Sequence, residues 1–220
     1  MKTDELIDRL GRDVTVTRPL SPPGARTVMW MVWAAVYLVV ATVMMFAVIS
    51  SAGVTPTPLY LVQQSAAILA GIMAARAALL SVIPGANDRV WVLPAIGVAT
   101  WVASLLWASA LDLQTSGTLG VTSKSDWPCV ASMMMGGLIV GAPLVWMLRR
   151  GAPLTPGLTA FLAALAALNV ANIEACLTRP HAFAATVLLW HGGTVAAVAA
   201  LCALTGGRWL RWPELTTRWG

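Results

Sequence analysis

Charged residues are scarce in this 220-residue chain. Asp, Glu, Lys and Arg make up 10% of it and hydrophobic residues 58%, whereas soluble proteins carry roughly 25% charged residues. The few charges are also unevenly placed, because residues 27–75 and 90–111 contain none. This composition argues against a freely soluble globular protein and is typical of membrane-spanning segments.

Several kinds of motif are missing. The chain has no close pair such as Cys-x-x-Cys or His-x-x-x-His, no glycine-rich phosphate loop, no Ser-His-Asp set and no paired carboxylates. We therefore expect neither enzymatic activity nor a bound cofactor, while the question of a metal ion stays open.

Six apolar runs are each long enough to cross a hydrocarbon core of about 30 Å as a helix. Their approximate limits are 27–50, 58–83, 90–111, 128–148, 154–177 and 183–205. They are too long and too evenly apolar for the strands of a barrel, whose two sides alternate. The sequence therefore predicts an all-α membrane protein: a cytoplasmic tail (1–26), a six-helix transmembrane bundle (27–205) and a short C-terminal tail (206–220).

The distribution of Lys and Arg predicts the orientation of the bundle. With both termini in the cytoplasm, eleven basic residues lie inside and only Lys124 and Arg179 lie outside, while Arg76 falls within a span. The eleven are Lys2, Arg9, Arg12, Arg18, Arg26, Arg89, Arg149, Arg150, Arg208, Arg211 and Arg218. This asymmetry explains the net charge of +5 without direct nucleic-acid binding, and it predicts that both termini of the multi-pass protein lie in the cytoplasm.

The N-terminal tail is too short to bury a core of its own, so it must act as a peptide. Thr3 is suited to cap a short helix with Asp4 in its first turn. The apolar residues of this segment recur at helical spacing: Leu6, Ile7, Leu10 and Val14. This face is suited either to a groove on a partner protein or, equally, to the lipid surface. Pro19, Pro22 and Pro23 then predict an extended spacer.

The three cysteines fall on two sides of the membrane. Cys129 and Cys176 lie at the outer ends of the fourth and fifth spans, where we expect them to be open to the exterior and to an impermeant maleimide. Such a pair could form a structural bridge, a redox switch or part of a soft-metal site. Cys202, near the cytoplasmic end of the sixth span, is expected to serve packing.

Other polar residues are expected close to the two outer cysteines. Asn169, Asn172 and Cys176 share one stripe of a helix, which should face protein. Glu174 lies on another face, from which it could reach interfacial water or a neighbouring helix. His181 could join the two thiols at the outer rim, although it is more typical of a surface histidine unrelated to them. His191 lies about 15 Å deeper along the helix and is more typical of a buried, hydrogen-bonded histidine.

Five motifs in sequence order resemble one known family. They are 1–7 (MKTDELI), 81–85 (SVIPG), 127–129 (WPC), the region from Cys176 to Trp190-His191, and 208–212 (RWLRW). Together they look like the NrsF-like membrane anti-sigma factors. The resemblance implies six helices in the inner membrane of a proteobacterium and an extracytoplasmic-function sigma factor as the partner. It also implies that Cys129 and Cys176 matter for the response to a signal, and that the tail with Leu6, Ile7 and Leu10 holds the sigma factor.

These observations together give a hypothesis: the tail sequesters a sigma factor until a heavy-metal ion or an oxidant acts on Cys129 and Cys176. A small-molecule or metal transporter is one alternative, although the polar residues do not cross the middle of the spans. A structural subunit of a membrane complex is another. Deletion of residues 1–14 separates the hypothesis from both alternatives, because only an anti-sigma factor would lose repression.

Overall fold

The computed structural model describes Thr3, Glu5 and residues 20–49, 57–85, 89–121, 127–151, 153–178 and 183–210. These ranges contain six long helices: α1 (Pro23–Ile49), α2 (Pro58–Leu80), α3 (Val92–Ser116), α4 (Trp127–Arg149), α5 (Pro156–Thr178) and α6 (Ala184–Trp209). All six are long and apolar enough to cross a membrane. The predicted six-helix bundle is thereby confirmed, and the protein is a multi-pass membrane protein.

The ends of the helices differ from the limits predicted from the apolar runs. α1 begins at Pro23, α3 continues through Asp112 to Ser116, and α6 continues to Trp209. Proline is well suited to the first turn of a helix, where its missing N–H is not needed, so Pro23 opens α1 and does not belong to an extended spacer. Of the tail before residue 20, the two described residues, Thr3 and Glu5, are helical and exposed.

Helix α5 is the centre of the bundle. It packs against α1, α2, α4 and α6, and 83% of its most apolar stretch is buried, compared with 11% for α1. Small residues allow this close packing. A Cβ added to Gly206 of α6 would lie 2.6 Å from the Cβ of Ala160, and one added to Gly137 of α4 would lie 2.8 Å from Leu168. A shift in the position of α5 must therefore affect its packing against several helices at once.

The two ends of the bundle have different chemistry. We call the end where α1 begins and α4 and α6 finish the arginine end, because it carries Arg26, Arg149, Arg150 and Arg208. We call the opposite end, where Cys129 opens α4 and Cys176 lies in the last turn of α5, the cysteine end.

The start of α6 is held in place at the cysteine end. The Asp112 carboxylate, on α3, accepts a hydrogen bond of 2.9 Å from the backbone N–H of Ala184, where a negative charge suits the positive end of a helix. Gly120 has φ of +56° and lies against the ring of Phe183, so a Cβ would be only 2.1 Å from that ring. These contacts fix the depth at which the next turns of α6 meet α5.

Candidate functional site: a buried Cys–His–Asn cluster

A short π-helical segment interrupts α6 at Leu188–Gly192. It carries His191, which is completely buried, and two glycines follow directly. A π-helical turn contains one extra residue and so departs from the hydrogen-bond pattern of the α-helix. Such segments often occur at functional sites. Here the segment lies where α6 crosses the polar face of α5.

His191, Asn172 and Cys176 meet at this crossing. The Nδ1–H of His191 donates to Oδ1 of Asn172 at 2.8 Å, since an amide oxygen can only accept. The thiol of Cys176 points to the same oxygen at 3.7 Å, and its sulfur lies 3.6 Å from Nδ1 of His191. A single amide oxygen therefore holds both the imidazole and the thiol.

The sulfur of Cys176 has two nitrogen donors within reach. One is Nδ1 of His191, and the other is the side-chain amide of Gln64 on α2. The amide N–H of Gln64 can donate to the sulfur, whereas the Nδ1–H of His191 can do so only by leaving the oxygen of Asn172. Cys129 of α4 lies close enough to interact electrostatically with Cys176. No disulfide joins any of the three cysteines, all of which are described.

Glu174 forms a second polar contact of α5, this time with α4. It is 1% exposed, and its Oε2 accepts a hydrogen bond of 2.7 Å from the hydroxyl of Ser132 on α4. Tyr37 of α1 lies near enough to interact with this carboxylate electrostatically. Of the two environments that the sequence left open, interfacial water and a neighbouring helix, the structure has the second.

The accessibility expected for the two thiols is wrong. The exposed fraction of Cys129 is 2% and that of Cys176 is 6%. Cys129 is covered because α4 packs on α5, and the indole of Trp127 packs on that of Trp190 with 5.9 Å between the ring centres. The thiols lie at the cysteine end but inside the bundle, so a bulky water-soluble reagent cannot reach them without movement of the helices.

The remaining predicted residues divide into two groups. Asn169 is on the predicted protein-facing stripe and is buried, but its amide donates to the carbonyl of Leu165 in its own helix. His181 and all of the predicted sigma-binding residues lie outside the described residues: Asp4, Leu6, Ile7, Leu10 and Val14. Within the described ranges, no group of three or more His, Cys, Asp and Glu is arranged to hold a metal ion.

Sequence reasoning missed two features of the site: Ser132, which contacts Glu174, and the π-helical segment that carries His191. Ser132 gave no signal, because a serine in an apolar helix usually bonds to its own backbone. The π-helical segment had one weak signal, the Gly192-Gly193 pair after His191, since glycine destabilises a regular helix. Neither pattern indicates a tertiary contact by itself.

These features define a class: a six-span helical membrane protein with a buried, thiol-containing polar cluster near one face of the membrane. The comparison with family models is more specific. The model described as negative regulator of sigma F (NrsF) matches residues 10–212, which is most of the chain. The protein therefore belongs to the NrsF family, whose role is regulatory, with a sigma factor as the partner. No curated protein and no solved structure matches the chain.

Proposed function

We propose that this protein is an inner-membrane anti-sigma factor that sequesters an extracytoplasmic-function sigma factor and releases it when Cys129 and Cys176 react with a heavy-metal ion or an oxidant. Both termini lie in the cytoplasm in this proposal. The tail holds the sigma factor through Asp4 and the apolar face formed by Leu6, Ile7, Leu10 and Val14. Family membership supports the anti-sigma role, and the family match begins at residue 10, inside this tail.

The observation that carries the sensing proposal is the position of Cys176 in the buried cluster. Its sulfur lies beside His191 and Asn172 and is close to Cys129, so it cannot change its bonding without disturbing α2, α4 and α6. A soft metal ion would replace the thiol protons with metal–sulfur bonds. An oxidant would take two electrons and two protons from the thiols as one sulfur–sulfur bond forms.

The burial of both thiols limits the size of the signal molecule that can reach them. A small ion or oxidant can enter between the helices, whereas a large reagent cannot. The side-chain amide N–H groups of Asn172 and the Oε1 of Gln64 are buried and form no hydrogen bond within the described ranges. Burial of such groups without hydrogen bonds costs free energy in a closed core. The cluster is therefore not in its most stable arrangement and is suited to rearrangement.

The rearrangement can be transmitted along α5 and α6. At the arginine end, Nε of Arg149 in α4 donates to the carbonyl of Trp209, the last residue of α6, at 3.2 Å. The guanidinium of Arg26, three residues into α1, donates to the carbonyl of Met147 in α4. The tail leads directly into α1, so a shift of α4 or α6 reaches it. A tenfold release of sigma factor needs about 1.4 kcal/mol of difference between the two arrangements.

The sensing proposal is tested with a promoter reporter that depends on the sigma factor recovered with this protein from native membranes. The double variant Cys129→Ser/Cys176→Ser should retain repression and lose induction by cadmium and by peroxide. Cys202→Ser is the matched control, because this thiol lies nearer the arginine end of α6, away from the cluster, and should respond as the wild type does. Normal induction of the double variant would disprove sensing by these cysteines.

The sequestering proposal is tested by deletion of residues 1–14. The truncated protein should still enter the membrane, because it keeps all six helices, but it should leave the reporter permanently active. Purification of the intact protein from native membranes should also recover the sigma factor, and purification of the truncated protein should not. A transporter or scaffold would keep its partners after the deletion, and that result would contradict the proposal.

A further inference from the structure

An apolar groove runs along the outside of the bundle between α4, α5 and α6. Its volume is about 520 Å³, within the range of about 300–1,000 Å³ that is typical of sites for small molecules. Small residues form its floor, among them Gly141 of α4 and Ala160 and Ala164 of α5. From Gly137 to Arg149 the groove follows α4 for about 18 Å. This length is close to one leaflet of a bilayer, about 15 Å.

The groove ends among tryptophan and arginine side chains. Trp146, Arg149 and Trp209 line this end, and the guanidinium of Arg150 stacks on the ring of Trp146, 3.6 Å from its centre. Tryptophan side chains prefer the level of the lipid headgroups. The apolar groove therefore opens at the height where a phospholipid carries its phosphate.

This end carries positive charge without a described counter-charge. Besides Arg149 and Arg150, it has Arg208 and Arg26, and the described residues of these helix ends and loops include no Asp or Glu. Arg26 is only 4% exposed, its Nη1 has no hydrogen-bond partner among the described residues, and it lies close enough to Arg150 to be repelled by it. An anion bound at the arginine end would reduce the repulsion between Arg26 and Arg150.

We propose that the groove binds one anionic phospholipid, with an acyl chain along α4, α5 and α6 and the phosphate at Arg149 and Arg150. Basic sites between membrane helices are suited to anionic headgroups, and arginine binds phosphate oxygens with two parallel N–H donors. A second copy of the chain fits less well. A symmetric pair of copies would bring a second set of arginines to the same end, where like charges repel.

The proposal is tested by native mass spectrometry of the full-length protein in mixed micelles. The probes are phosphatidylglycerol and phosphatidylcholine with the same acyl chains. The wild type should retain one phosphatidylglycerol per chain in preference to phosphatidylcholine. Arg149→Gln/Arg150→Gln should weaken this retention about thirtyfold, and Arg150→Gln alone, which keeps the contact of Arg149 with the phosphate, should weaken it less. Arg76→Gln is the matched control, because this exposed arginine of α2 does not line the groove.

The acyl-chain contact is tested separately. Ala164→Leu fills the groove and leaves every arginine in place, so it should reduce retention of phosphatidylglycerol, and an excess of inorganic phosphate should not displace the lipid. Equal retention of the two lipids, or equal loss in the Arg76→Gln control and the double arginine variant, would overturn the proposal. Displacement by phosphate, or a stable dimer that Ala164→Leu disrupts, would do so as well.

Discussion

Asn172→Ala is expected to activate the sigma factor in part without any signal. In the structure, Oδ1 of Asn172 holds both Nδ1 of His191, at 2.8 Å, and the thiol of Cys176, at 3.7 Å. Alanine removes this acceptor and leaves the buried imidazole N–H with only the sulfur of Cys176, 3.6 Å from Nδ1, in place of the amide oxygen. The arrangement of α5 and α6 that keeps the sigma factor bound should therefore lose stability.

The size of the effect follows from the two contacts. Hydrogen bonds between membrane helices contribute about 0.6 kcal/mol on average and up to about 1.7 kcal/mol. The bond to His191 is short and fully buried, whereas the contact with sulfur is long and weak, so we expect a loss of about 1–2 kcal/mol in total. Only the part that differs between the two arrangements shifts their populations. The reporter without inducer should rise by about 5- to 30-fold at most.

The assay compares two substitutions in one helix. Asn169→Ala changes the same residue type one turn away, at similar burial, but Asn169 donates only to the carbonyl of Leu165 in its own helix. Reporter activity is measured without inducer, and immunoblots of the membrane fraction correct for protein amount. Asn172→Ala should raise activity and Asn169→Ala should leave it near the wild-type value. Equal effects of the two variants would refute the idea that the cluster holds the resting arrangement.

Two further predictions concern stability, measured by reversible unfolding in detergent mixtures. Gly136→Ala should destabilise the bundle by about 1–3 kcal/mol, because its Cβ would lie 2.0 Å from the hydroxyl of Tyr37 and 3.0 Å from the Cβ of Ala171. Gly193→Ala is the control, because its Cβ would meet nothing within 4 Å. Similar losses of stability in the two variants would contradict this account. Ser132→Ala should cost about 1–2 kcal/mol by removing the donor to Glu174, whereas no loss would show that the 2.7 Å hydrogen bond contributes little.

The sequence alone determined that the chain is a bundle of six membrane helices. Lipid cannot satisfy backbone N–H and C=O groups, so an apolar run of about 20 residues has little choice except a helix. The same reasoning indicated that the stripe with Asn172 and Cys176 faces protein, because a polar side chain is costly against lipid. The motif order also led to the family that the comparison shows.

Only the tertiary structure decided which residues meet. Whether His191 reaches Cys176 depends on the depth of α6 relative to α5, which Asp112 and Gly120 set from another helix and its loop. The sequence also placed the two cysteines at one end but could not show that both thiols are buried. The side of a helix that is covered depends on its neighbours, and neighbours are chosen by packing between segments far apart in the chain.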